Sequence, residues 1–180
     1  VASLVESFDS AVFALFNFLR FPALTAVLSV ITHLADSGAM WILLAVLLLI
    51  FKKTRRGGAA VALALIIDVV VVNLLLKNIV ARPRPFAAMD FEPLISPPSG
   101  WSFPSGHSAV SFSAAVALCF HWRKWGIAAL VLAFFIAASR VYLLVHYPTD
   151  VVAGIIIGTV CGVSGAVLSG KFKLKFLNNA

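Results

Sequence analysis

Two histidines, a carboxylate and four basic residues stand in three short segments whose spacing suits phosphate chemistry. The first is Lys77-Asn-Ile-Val-Ala-Arg82-Pro-Arg84-Pro85. Lys77 and Arg84 are seven positions apart, so a helix would put both on one face. Pro83 and Pro85 would then end that helix. The second is Phe103-Pro104-Ser105-Gly106-His107-Ser108, entering an apolar run. Proline is normal in a first helical turn, and the free N–H groups of a helix start make an anion site. The third is Ser139-Arg140 followed by His146-Tyr147-Pro148-Thr149-Asp150. A continuous helix would set His146 and Asp150 on one face. A new helix beginning at Pro148 would put Asp150 in its first turn. Either geometry keeps the carboxylate near the imidazole.

Together these segments supply a helix N-terminus, fixed cations, two histidines and a carboxylate. Arginine forks grip phosphoryl oxygens in bidentate fashion. A histidine oriented by an aspartate can act as nucleophile while a second serves as general acid. No HExxH or carboxylate cluster suggests a metal, and no cofactor is called for. Polar packing at a helix end is the alternative for any one of His107, His146 or Asp150. The full constellation outweighs it.

The elements that must position these residues are set by composition. The chain has 180 residues, 62% hydrophobic and 12% charged, with mean hydropathy +1.05. Soluble domains are about 45–50% apolar and about 25% charged. A soluble enzyme, a disordered chain and a nucleic-acid binder are thereby excluded, despite a net charge of +7. Cys119 and Cys161 lie in apolar runs and indicate neither a disulfide framework nor a metal knuckle. The fold class expected is an all-α integral membrane protein, one domain over residues 1–180. Its six-helix bundle covers residues 22–169, with spans near 22–36, 39–51, 58–80, 104–121, 125–145 and 148–169. Residues 1–20 precede it. Phe8, Val12, Phe16 and Leu19 share one helical stripe and Glu6, Ser10, Asn17 and Arg20 another, so an interfacial amphipathic helix is expected. A frayed extension of the first span is the alternative; Pro22 favours a break. No cleavable signal peptide is visible. Residues 170–180 form a basic tail.

Orientation follows from charge. With six spans, Arg20, the Lys52–Arg56 cluster, Arg123 with Lys124, and Lys171, Lys173 and Lys175 share one side. The positive-inside rule makes that side the cytoplasm, with both termini there. Trp41 and Trp101 fall at outer span ends, and Trp122 and Trp125 at inner ones, as interfacial anchors would. Lys77, Arg82, Arg84 and Arg140 fall outside, against the rule, and need another reason. For Arg82 a direct role and a headgroup contact outside the catalytic shell are equally open. His33 and Asp36 border the site or merely cap a span. His121 is interfacial. Asp68, inside the third span, is functional or a paired structural group. Gly154, Gly158 and Gly162 read as close packing within the bundle, ahead of a dimer seam. Residues 85–104 read as a lid that admits a lipid tail, ahead of a plain connector.

Lys77-x6-Arg84-Pro85, Pro104-Ser105-Gly106-His107 and Ser139-Arg140-x5-His146-x3-Asp150 resemble the three-part signature of the type-2 phosphatidic acid phosphatase superfamily, in order and without departure. The resemblance implies a membrane lipid phosphatase of a bacterial plasma membrane, with its site outside. It implies that His146 becomes phosphorylated, that Asp150 orients it, and that His107 protonates the leaving oxygen and then activates water. Lys77, Arg84, Arg140, Ser105 and the Gly106 N–H would hold the phosphoryl oxygens. The partner is then a membrane lipid. Undecaprenyl diphosphate ranks first by analogy with compact bacterial members, ahead of phosphatidylglycerol phosphate, phosphatidate and a lipid A phosphate. The related vanadate-dependent haloperoxidases are soluble, which composition opposes. A transporter or scaffold is the rival of another class, but internal repeats and mid-bilayer broken helices are not apparent.

Overall fold

Lipid leaves no water to satisfy backbone N–H and C=O groups, so long apolar runs must close their hydrogen bonds internally. The computed structural model describes residues 2–88 and 92–171, and among these it is helical with no strand. The elements are α1 (Ala2–Phe18), α2 (Pro22–His33), a 3-10 turn (Asp36–Gly38), α3 (Ala39–Ile50), α4 (Arg55–Asp68), a π-helical segment (Val69–Leu76), α5 (Lys77–Val80), α6 (Pro85–Ala88), α7 (Gly106–Cys119), α8 (Arg123–Tyr142) and α9 (Pro148–Lys171). Four helical segments are long and apolar enough to cross a membrane: Pro22–Ile50, Arg55–Ala88, Arg123–Tyr142 and Pro148–Gly170. α7 is apolar but shorter.

Small residues bring α4, α7 and α9 together. A Cβ on Gly154 would meet the Ser105 carbonyl, one on Gly158 the Ala109 carbonyl, and one on Gly162 the Ser113 carbonyl. The expected glycine series is therefore a seam inside the bundle, between α9 and α7. It sets the N-terminus of α7 directly against that of α9, and the Ser105 N–H donates to the Asp150 carbonyl at 3.0 Å. Bulky apolar side chains point the other way: Leu74, Ile127, Val131, Phe134, Ile156 and Val160 are exposed.

Two expectations are corrected by packing. The first concerns the N-terminal third. α2 and α3 are separate helices of 12 residues each, broken at Ser37 (φ 53°) and Gly38 (φ 69°). Both ends of α2 lie at the end of the bundle where α8 stops. The Phe21 N–H and Thr25 hydroxyl meet the Tyr142 hydroxyl at 3.2 and 2.8 Å, and Thr32 accepts from Arg140. Arg20 donates to the Tyr142 carbonyl at 3.4 Å. In α1, Val12, Phe13 and Phe16 pack on the cluster of Ala137, Val141 and Val151. Arg20 thus sits at the opposite end from Arg55 and Arg123, where Gly57 abuts Trp122, and not beside them as the six-span plan requires. Charge counting cannot foresee this, because the contacts that hold Arg20 come from residues more than a hundred positions away. The second concerns Trp41. Its side chain is 2% exposed, and its indole N–H donates to the Ser111 hydroxyl at 3.0 Å. It is a core residue with a satisfied polar tip, not an interfacial anchor. Trp101 and Trp125 are exposed.

Candidate active site

The loop joining α8 to α9 carries His146. Its backbone folds back on α8: the Val145 and His146 N–H groups both donate to the Arg140 carbonyl, at 3.2 and 3.3 Å. Leu144 takes a left-handed φ of 61° to make the turn. Pro148 then starts α9 with Asp150 in its first turn, one of the two expected geometries. His146 Nδ1 and Asp150 Oδ2 are 3.6 Å apart, too far for a direct hydrogen bond. Ser102 closes the gap. Its hydroxyl donates to Asp150 Oδ2 and lies 3.4 Å from His146 Nδ1. The Tyr147 N–H adds a second bond to Oδ2 at 3.0 Å.

The other ring nitrogen faces a cation. Arg84 Nη1 stands 3.1 Å from His146 Nε2. A guanidinium can only donate, so Nε2 presents its lone pair and the ring proton is on Nδ1, towards Ser102 and Asp150. Burial, with the Arg140 and Arg84 charges, pushes the His146 pKa down to about 3. The imidazole is neutral at physiological pH, as a nucleophile must be. Arg84 is itself fixed by carbonyls of two loops: Gly100 at 2.9 Å and Ser99 at 3.0 Å before α7, and Val145 at 2.9 Å between α8 and α9. Gly100 has φ 74°, a conformation that glycine adopts without strain.

Arg82 is committed to carboxylates. It donates to Asp150 Oδ1 at 2.6 Å and to Asp9 Oδ2 at 3.0 Å, with its guanidinium 3.7 Å over the Tyr147 ring. Asp9 also accepts from the Thr149 N–H and hydroxyl, both at 2.9 Å. A residue of α1 therefore braces the first turn of α9.

The second wall is the start of α7. Ser105 caps the helix and accepts from the Ser108 hydroxyl at 2.9 Å. His107 Nε2 meets Asp36 Oδ1 at 2.9 Å, and Asp36 Oδ2 meets His33 Nδ1 at 2.8 Å. The Lys77 ammonium lies beside Gly106, 3.3 Å from where a Cβ would be. Arg140 is buried between the walls, and its charge acts on both His107 and His146. Lys77 and Arg84 do not share a helix face. The helix ends at Val80, Ala81 turns with φ 48°, and residues 81–84 are irregular. Proline restricts the residue before it as well as itself, so two closely spaced prolines end the helix early.

The sequence profile of the PAP2 superfamily matches residues 57–173. The chain belongs to the PAP2 superfamily. It is 33% identical to phosphatidylglycerophosphatase B of Bacillus subtilis, over 86% of this chain and 79% of that protein. It is 36% identical to an undecaprenyl-diphosphatase of Sulfolobus acidocaldarius over 50% of this chain and 45% of that one. The chain thus spans about half the length of that relative, and 48% of the undecaprenyl-diphosphatase of Bacillus subtilis. Among solved structures it resembles the PAP2-type phosphatidylglycerolphosphate phosphatase of Bacillus subtilis (TM-score 0.75, 30% identity, 94% of this chain and 88% of that one). It resembles LpxE of Aquifex aeolicus equally (TM-score 0.75, 32% identity, 90% and 94%). It is a multi-pass membrane protein.

In this PAP2 chain, His146, Asp150 and Arg84 converge on one wall, His107, Gly106 and Lys77 on the other, and Arg140 stands between them. Ser102 and Asp9 escape a sequence reading. One is a serine among many, and the other an acid on an otherwise amphipathic helix; only the docking of loop and α1 reveals them. Asp36 is drawn into the site as a partner of His107. The segment 85–104 lies partly outside the described residues, at 89–91. Its Leu94 N–H bonds the Leu143 carbonyl at 3.2 Å.

Proposed function

We propose that the protein is a membrane lipid phosphatase that hydrolyses a lipid phosphate or diphosphate at the external membrane face through a phosphohistidine. The observation that carries this is the neutral, buried His146 with its Nε2 lone pair held by Arg84. A phosphoryl group arriving between the walls exchanges places with that lone-pair contact: Arg84 turns its donor to a phosphoryl oxygen, and Nε2 attacks phosphorus. Positive charge that develops on the ring is met by Asp150 through Ser102. His107 gives its proton to the leaving oxygen and afterwards takes one from water, which attacks the phosphohistidine and releases phosphate. Lys77, Arg140, Ser105 and the Gly106 N–H complete the oxyanion contacts. These cations supply the charge neutralisation that phosphoryl transfer needs, so we propose a metal-independent reaction.

Orientation rests on charge. Lys52, Lys53, Arg55, Arg56, Arg123 and Lys124 stand at the end opposite the site, which by the positive-inside rule is cytoplasmic. The packing of α1 and of both ends of α2 at the site end supports five crossings (α3, α4–α5, α7, α8, α9) in place of six, with α1 on the outer side. The whole chain is one catalytic domain, and the described residues 92–104 act as a lid beside the site.

The relatives support three substrate types: undecaprenyl diphosphate, phosphatidylglycerol phosphate and a lipid A phosphate. The test is phosphate release by purified protein from undecaprenyl diphosphate, phosphatidylglycerol phosphate, phosphatidate and a lipid A phosphate. His146→Ala should lower turnover of any accepted substrate by a factor on the order of 10⁴ or more. Substantial turnover by that variant, or activity that a chelator abolishes and added Mg²⁺ restores, sinks the mechanism.

A further inference from the structure

The lipid phosphatase reading leaves one buried group unused. Asp68 ends α4, immediately before the π-helical segment, and is 1% exposed. Its Oδ1 has no hydrogen-bond partner among the described residues. An unpaired carboxylate oxygen inside a bundle costs stability, and π-helical insertions recur at functional sites. The carboxylate lines a cavity of about 190 Å³ whose wall also includes Asn73, Lys77, Gly106 and His107. That is room for about six waters at liquid density, or for a polar head-group fragment of similar size.

The cavity lies on the His107 side of the site. If Nε2 of His146 attacks in line, the leaving oxygen and the first atoms bonded to it point towards His107. They therefore enter this cavity. Its lining offers a carboxylate acceptor, a carboxamide that both donates and accepts, and an ammonium donor. Such a set suits hydroxyl groups. It does not suit a diphosphate, in which the scissile oxygen itself belongs to an anionic phosphate that would enter beside the Asp68 carboxylate.

We propose that Asp68 and Asn73 form a leaving-group subsite that recognises a hydroxyl close to the scissile oxygen, so that the preferred substrate is a phosphomonoester of a hydroxyl-bearing lipid head group. This rests on the phosphatase reading above. Preference then comes from the floor of the cavity, while the phosphoryl contacts treat all substrates alike.

The test uses the full chain in lipid nanodiscs with two phosphomonoesters of matched acyl chains. Phosphatidylglycerol phosphate has a free hydroxyl next to the leaving oxygen, and phosphatidate has none. The reading is the ratio of their kcat/KM values in wild type, Asp68→Asn and Asp68→Leu. A lost hydrogen bond to a charged group predicts that Leu lowers the ratio about tenfold or more, with Asn between. A ratio that does not move, because both substrates fall together or neither changes, overturns the proposal. A merely structural Asp68 gives that result. The same Asp68 changes are then made in His146→Ala protein, and equilibrium binding of the two lipids is compared. Should wild type release no phosphate from these two lipids or from undecaprenyl diphosphate and a lipid A phosphate, the phosphatase reading fails on its own. The binding arm still decides: selective loss of affinity for the hydroxyl-bearing lipid upholds the subsite, and equal affinity overturns it.

Discussion

The two histidine walls are built on different principles. On the His146 side nearly every polar atom is spent: Asp150 accepts from Arg82, Ser102 and the Tyr147 N–H, and Arg84 holds Nε2 while bonding three carbonyls. On the His107 side the imidazole leans on Asp36 alone, Asp36 is half exposed, and the adjoining cavity contains an unpartnered carboxylate oxygen. A rigid wall suits a nucleophile, whose lone pair must be aimed. An open wall suits a leaving group, which must come and go. On the proposed mechanism, the difference puts preorganisation at the attacking nitrogen and adaptability at the departing oxygen.

Four measurements break or sharpen this contrast. The largest effect concerns His107. Its replacement by Ala should lower lipid turnover by on the order of 10²–10⁴, and much less for an aryl phosphate whose leaving oxygen needs no proton. An equal loss on both would remove His107 as general acid. Next is the brace behind Asp150. Arg82→Ala should lower kcat by about 10², because misplacing a reacting group by an ångström costs that much; KM should change little. Asp9→Asn tests the same brace from α1 and should give a smaller loss in the same parameter. If Asp9→Asn is silent, α1 does not position the nucleophile. Third, Asp36→Asn weakens one charge-assisted hydrogen bond and should cost roughly tenfold, again more for alkyl than for aryl leaving groups. The smallest effect is on stability. The unfolded His146 takes a proton near the ordinary pKa of about 6.5, whereas the folded one does so only near 3. The unfolded state therefore binds more protons as pH falls below 6.5, and the fold loses stability, by at most about 1.4 kcal/mol per pH unit. Wild type should lose more Tm between pH 6 and pH 4.5 than His146→Phe. Parallel curves would mean that the imidazole takes up its proton alike in the folded and unfolded states.

Of the ten basic residues read as one side of the membrane, Arg20 lies instead at the site end, but the four set apart from them pointed to an anion site before any coordinates. So did the three motifs, since their residue types admit little chemistry besides phosphoryl transfer. The α9 glycines were legible as well, because small residues at helical spacing leave few other uses in lipid. The break at Ala81, the burial of Trp41 and the end at which Arg20 sits were not. The last two depend on partners distant in sequence, Ser111 for Trp41 and Tyr142 for Arg20, while the early break follows from how Pro83 and Pro85 restrict the residues before them.

By itself the sequence determined the solvent, the helical class and the groups proposed to react. These follow from composition and from side-chain chemistry, which are local properties. Tertiary structure decided that Ser102 stands between His146 and Asp150, that Asp9 braces Arg82 and Thr149, that Asp36 serves His107, and that Asp68 opens onto the cavity beside it. Those are pairings across α1, α4, α7 and α9. No periodicity encodes them, because close packing of the helices, not spacing along the chain, brings the partners within hydrogen-bond reach.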